Sequence, residues 1–377
     1  MYETKPWLKF YGIVPESLVY ERASLYESLE KTALRYPDLT AYDFLGYRAS
    51  YAELLADIHT CAGALLQRGL SKGDRVTICL PNCPQAVIMF YALNRIGAVA
   101  SMIHPLSAPE EIEFYLNVSE SVWALTLDAF YKNFKDILRN TKVKVLLLTK
   151  LGDYMGNIKA SLFYLTQGRK IAKVPLDLRV LWWKRLMATK SSKKQTAAMS
   201  PDALAVILYS GGTTGKPKGI MLSSHNFNCL AAMTAQQGSE LTGPLQPGDS
   251  ILSILPVFHG FGLGVCIHTF LAGGGKCILV PKFNAEIVGK LIKRERPQYM
   301  AGVPTLYEAL LTNEKLRRSD LSTMKGVYAG GDTVPRSIKE RFDELLIEGG
   351  AKTELRAGYG LTECVTVCLV MPEGAYR

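Results

Sequence analysis

No Cys-x-x-Cys pair occurs in this 377-residue chain; its eight cysteines, at positions 61, 79, 83, 229, 266, 277, 364 and 368, are scattered. That absence excludes the usual zinc-site spacings and a dense disulfide framework, and points to reduced thiols filling the core of a cytoplasmic protein. No apolar run approaches the ~20 residues of a spanning helix. The opening Met-Tyr-Glu-Thr-Lys-Pro-Trp lacks the apolar stretch of a secretory signal. No nucleic-acid-binding signature accompanies the formal charge of +10, so a nucleic-acid partner is not expected. A Walker A loop is missing too: it needs Gly, four residues, Gly-Lys, then Ser or Thr. Here Ser210 stands five residues before Gly215, and Lys216 is followed by Pro217.

What is present is ordinary globular material. Hydrophobic residues make up 48% and charged residues 21%, and the length suits two or three subdomains sharing cores. Helical periodicity marks Ser24 to Tyr36 and Ser50 to Gly69, each opened by a serine suited to an N-cap. Strand-like runs at Arg75 to Leu80, Gly97 to Ile103, Lys144 to Thr149, Ala203 to Tyr209, Asp249 to Leu255, Gly275 to Val280 and Gly326 to Ala329 alternate with helical segments. That rhythm predicts an α/β fold with largely parallel sheets covered on both faces. A division near residue 200, into 1–200 and 201–377, is expected.

One segment departs from it. Residues 154–194 interleave Trp182, Trp183, Phe163 and Leu165 with Lys159, Arg169, Lys184 and Arg185, and the basic cluster continues through Lys190, Lys193 and Lys194. The pattern suits either an interfacial amphipathic helix at a membrane surface or a helical hairpin with its basic face in water.

The chemistry is concentrated further along. Ser210-Gly-Gly-Thr-Thr-Gly-Lys-Pro-Lys-Gly219 follows an apolar strand and packs glycines, hydroxyls and lysines where backbone N–H groups and cations can meet phosphate oxygens. Downstream come Pro256-Val-Phe-His259, Tyr328-Ala-Gly-Gly-Asp332 and Tyr359-Gly-Leu-Thr-Glu363. Together, in this order, they resemble the signature elements of the adenylate-forming superfamily, and the insert before the glycine-rich loop is similar to that of long-chain fatty acyl-CoA synthetases.

The resemblance covers nearly the whole chain and implies the family's large N-terminal domain, with sheets and helices in stacked αβαβα layers beside a small β subdomain. It implies in-line attack of a carboxylate, a fatty acid first, on the α-phosphorus of ATP, then thioester formation with CoA. The protein's task would be to position two anions and neutralise charge. Ser210, Gly211, Gly212, Thr213, Thr214, Gly215 and Lys218 would hold the phosphates. The Gly330-Gly331-Asp332 turn and Gly360 would lie along the adenine, with Tyr359 stacking on it. Thr362 would reach the α-phosphate, Glu363 would ligate Mg2+, and His259 would sit at the mouth of the acyl pocket; Lys218, His259, Thr362 and Glu363 form the expected catalytic set.

The family's ribose-binding Asp, hinge and mobile C-terminal domain with its adenylation Lys have no counterpart in these 377 residues. The expectation is therefore of weak nucleotide binding and impaired turnover by this chain alone. An acyl-AMP ligase serving a carrier protein, and a non-catalytic nucleotide-binding module, are the remaining alternatives.

Overall fold

The computed structural model describes residues 5–156, 161, 165–166, 168, 171, 173–189, 199–211, 217–236, 243–372 and 374. In chain order the strands begin with an antiparallel pair, β1 (Thr40–Phe44) and β2 (Tyr47–Ser50). There follow β3 (Arg75–Cys79), β4 (Val99–Met102), β5 (Trp123–Leu127), β6 (Val145–Thr149) and β7 (Val180–Trp182), then the antiparallel hairpin β8 (Leu204–Ser210) and β9 (Lys218–Ser223). The last group is β10 (Ser250–Ser253), β11 (Lys276–Leu279), β12 (Tyr299–Gly302), β13 (Gly326–Ala329) and β14 (Leu355–Gly360), closed by antiparallel β15 (Val367–Val370).

Two sheets result. One runs β7-β6-β5-β3-β4-β8-β9, the other β15-β14-β13-β12-β10-β11-β1-β2. The parallel cores β4-β3-β5-β6-β7 and β11-β10-β12-β13-β14 share a single strand order, in which the chain reverses direction beside the first strand of each. The antiparallel strands β2, β9 and β15 lie at three separate sheet edges, so among the described residues they extend the two sheets and form no separate β subdomain.

The core lies in three apolar layers. The central one fills the space between the sheets with the helices Leu25–Arg35, Tyr51–Gln67, Pro84–Ile96 and Ser224–Ala235. Pro84–Ile96 buries every residue but Arg95, as a helix in the middle of a five-layer stack must. Outer layers cover the first sheet with Pro109–Val118 and the second with Ala285–Glu295, Pro304–Leu311 and Arg336–Glu348.

Local chemistry explains the helix starts. Ser24 and Ser50 each accept from the backbone three residues on and receive Glu27 or Glu53 in return, so both helices begin with a full capping box. Pro84 opens its helix and left-handed Gly97 (φ 75°) ends it.

Two further expectations need correction. The sheets do not divide near residue 200: β1 and β2 join the second sheet, whereas β8 and β9 join the first. Within 154–194, Val180–Trp182 is a strand paired with β6, not part of an amphipathic helix, because its backbone completes the sheet edge. Trp183 is 1% exposed and packs in the central layer, so it is not available to a membrane surface, and Trp182 lies half-buried under the Lys150 cation. Lys159, Phe163, Arg169, Lys190, Lys193 and Lys194 lie outside the described residues. No helix of the described residues is long and apolar enough to cross a membrane.

Candidate active site

In open parallel sheets the groove where strand order reverses, at the carboxyl ends of the strands, is the usual ligand position. Here there are two such grooves, beside β3 and beside β10, and one buried side chain joins them. Asn82, just beyond β3, donates from Nδ2 to the carbonyls of Ser253 (2.8 Å) and Leu255 (2.9 Å) and accepts at Oδ1 from the Val257 N–H (2.9 Å). It uses most of its hydrogen-bonding capacity to fix the loop after β10 against the end of β3.

That loop carries the Phe-His element. The His259 N–H donates to the Pro256 carbonyl (3.1 Å), and the His259 carbonyl accepts from Leu263 (2.9 Å), opening a π-helix over Phe261–Thr269. Helices of this wide type are uncommon and recur at functional sites. The Phe258 ring packs on two imidazoles, its centre 4.5 Å from that of His104 at the end of β4 and 4.8 Å from that of His259. The Nδ1 of His104 accepts from the Leu106 N–H (2.9 Å). Both rings are held below the usual histidine pKa, His259 by the protein crowded around it and then by His104, His104 by burial against the partial opposition of Glu111. Neutral rings at pH 7 follow.

The Tyr-Gly-Leu-Thr-Glu element closes on the same place. A Cβ added to Gly260 would fall 1.6 Å from the Val365 carbonyl oxygen, so only glycine lets the His259 segment touch the loop that follows Glu363. The loop turns at Val365 in a left-handed conformation (φ 67°), and the Leu361 N–H donates to Thr366 (2.7 Å). Its helical turn Thr362–Cys364 packs against β8 and β9. In that hairpin Ser210 lies opposite Lys218, which is exposed.

A cavity of about 1000 Å³ occupies this junction. His104, Phe258, His259, Gly330, Gly331, Tyr359, Gly360 and Thr362 line it, together with apolar Ile254, Phe261, Val265 and Leu306. Gly331 needs its glycine, since the turn after β13 places it at φ 84°. Tyr359 is 60% exposed, a flat ring open to a stacking partner.

Of the residues expected from sequence, His259, Gly330, Gly331, Tyr359, Gly360 and Thr362 thus share one cavity. Asp332 and Glu363 are exposed close by but are not among its lining, and Asp332 accepts from the Thr333 N–H (2.7 Å). Ser210, Gly211 and Lys218 lie on the neighbouring hairpin; Gly212, Thr213, Thr214 and Gly215 lie outside the described residues. No group of three or more metal-ligating side chains occurs among the described residues. Asn82 and His104 were not foreseen. The only local hint for either is a polar residue beside proline at the end of a strand, in Pro81-Asn82 and His104-Pro105.

Comparison with known proteins bears on this geometry. A long-chain-fatty-acid–CoA ligase of Bacillus subtilis is 32% identical over 372 residues, 97% of this chain and 65% of the relative, so the chain spans about two thirds of that protein's length. Among solved structures, a long-chain-fatty-acid-CoA ligase from Archaeoglobus fulgidus superposes with a TM-score of 0.77 at 23% identity, covering 94% of this chain and 67% of that one. An anthranilate CoA ligase in complex with anthranoyl-AMP superposes with a TM-score of 0.79 at 18% identity, over 95% and 63% of the two chains. These likenesses show the fold, and acids as different as a fatty acid and anthranilate appear among their names. Residues 29–377, nearly the whole chain and all four signature elements, match the AMP-binding enzyme family, and the chain belongs to that family.

Proposed function

We propose that this chain forms the part of an acid–CoA ligase that binds ATP and a fatty acid and joins them as an acyl adenylate, which then passes to CoA. The observation that carries the reading is the single cavity in which the adenine-side elements Gly330, Gly331 and Tyr359 meet an apolar lining of Ile254, Phe261, Val265 and Leu306. Its volume of about 1000 Å³ stands at the upper end of small-molecule sites, room for a nucleotide and an alkyl chain together. Identity of 32% to a long-chain ligase supports the fatty acid over an aryl acid.

The residues have defined tasks in this reading. Tyr359 stacks on adenine and the Gly331 turn admits the ring edge. Thr362 donates to the α-phosphate, while Lys218 and the Gly211 N–H meet the outer phosphates across the hairpin. Neutral His259 donates a hydrogen bond to the acid's carboxylate without trapping it as a tight ion pair, which leaves the oxygen nucleophilic.

A magnesium ion fits the chemistry of exposed Glu363 beside the Thr362 hydroxyl, two hard oxygen donors that leave the remaining positions for phosphate oxygens and water. When bound it would shield phosphate charge. The protein's own contribution is placement, since the reaction asks for little covalent help.

The test is isothermal titration with hydrolysis-resistant acyl sulfamoyl adenosines of increasing chain length, beside AMP. Affinity should rise with chain length to a plateau set by the cavity. Equal affinity for AMP and every acyl analogue would refute the fatty-acid reading.

A further inference from the structure

His104 belongs to none of the four signature elements, yet it stands in the wall of the cavity. Its ring is fixed twice. The Leu106 N–H donates to Nδ1 at 2.9 Å, and the ring edge meets Phe258 at 4.5 Å between centres. A backbone N–H cannot reverse its role, so Nδ1 is the acceptor and Nε2 carries the hydrogen. The cavity wall therefore carries, on the first sheet, an N–H donor whose ring packs on Phe258, as does the ring of His259 of the second sheet. Asn82 sets the spacing of the two loops that carry them, through bonds to Ser253, Leu255 and Val257.

Two neutral imidazoles that pack on one phenyl ring and line one cavity offer donors to a shared anion with two oxygens. We propose that His104 donates from Nε2 to the carboxyl group of the acid substrate, and to the same oxygen in the acyl adenylate, as a second donor beside His259. This rests on the acyl-adenylate reading given above. The acid is then oriented toward the α-phosphate while its alkyl chain follows the apolar lining.

Two variants separate this from a structural role. His104→Ala removes the donor and the acceptor for Leu106. His104→Asn keeps both, since its Oδ1 can accept from the N–H two residues on while its amide donates. Titration of each variant and the parent with N-dodecanoyl sulfamoyl adenosine and with AMP gives the readout. Loss of a hydrogen bond to a charged or strongly polar ligand group corresponds to roughly ten-fold or more in affinity. For His104→Ala we expect about that loss for the acyl analogue with AMP unchanged, and for His104→Asn recovery of most of it. Parental affinity for the acyl analogue in His104→Ala would overturn the proposal, as would equal losses for analogue and AMP, which would mark a collapsed loop. Failure of the parent protein to bind the acyl analogue while binding AMP would instead overturn the acyl-adenylate reading and this one with it.

Discussion

The two sheets repeat one strand order but finish the ends of β3 and β14 in opposite ways. At the end of β3 the first sheet presents a side chain with nothing left to give: Asn82 is 2% exposed and its amide is committed to three backbone groups of the other sheet. At the end of β14 the second sheet presents Tyr359 at 60% exposure, with Glu363 exposed beyond it. The end of β3 is finished before any ligand arrives and the end of β14 is left for the ligand to finish. Substitutions at the first should cost stability, and at the second, affinity.

Asn82→Ala is the strongest trial of that division. It would leave the Ser253 and Leu255 carbonyls and the Val257 N–H buried without a partner. Each such group costs about 1–3 kcal/mol, and with some relaxation the total should be about 3 kcal/mol. The check is the urea midpoint at unchanged slope. A loss below about 1 kcal/mol would mean that the grooves are not held together by this residue.

Gly260→Ala tests the contact between the loop after β10 and the loop after β14. Its Cβ would need the space of the Val365 carbonyl oxygen, 1.6 Å away, and backbone has little room to yield. Overpacking of this kind costs about 2 kcal/mol. Because the displaced loop follows Glu363, AMP binding should fall together with stability, the one case here in which both move.

Between the sheets, His268 offers a test by pH. It is fully buried, its Nε2–H donating to Asn228 Oδ1 (2.8 Å) and its Nδ1 accepting from the Tyr91 hydroxyl (2.9 Å). Burial lowers its pKa to about 3. The unfolded chain takes up this proton near pH 6.5 and the folded one only near 3, so the unfolded state binds more protons in that window. Stability should therefore fall as the pH falls through it, by about 1 kcal/mol from pH 6 to pH 5. His268→Gln should reduce the slope, and an unchanged slope would assign it to other groups.

The division also explains what was legible in the sequence. Helix starts were, because Ser24 with Glu27 and Ser50 with Glu53 form their caps locally. Family membership was too, since the signature elements are short runs of adjacent residues within the stretch 29–377 that matches the family. The membership of β1 and β2 in the second sheet was not, for it rests on pairing between Tyr42 and Cys277, far apart in the chain. The strand at Val180–Trp182 was hidden by alternating cations and aromatics that mimic an amphipathic helix, and only its pairing with Leu146 to Leu148 decides it. Asn82 and His104 escape for the same reason: each owes its role to groups brought by the other sheet, in Asn82's case 171 to 175 positions away.

Tyr359→Ala carries the smallest expected effect and sharpens the comparison most. An exposed ring that packs on nothing essential should change stability by less than about 0.5 kcal/mol, the range of ordinary surface substitutions. In the proposed site its stacking on adenine would be worth about 1 kcal/mol beyond the area covered, so AMP affinity should fall roughly five-fold. Tyr359→Phe keeps the ring and should bind AMP like the parent. A stability loss in Tyr359→Ala as large as that in Asn82→Ala would show both strand ends to be built as scaffold. Affinity unchanged in Tyr359→Ala would place the adenine elsewhere.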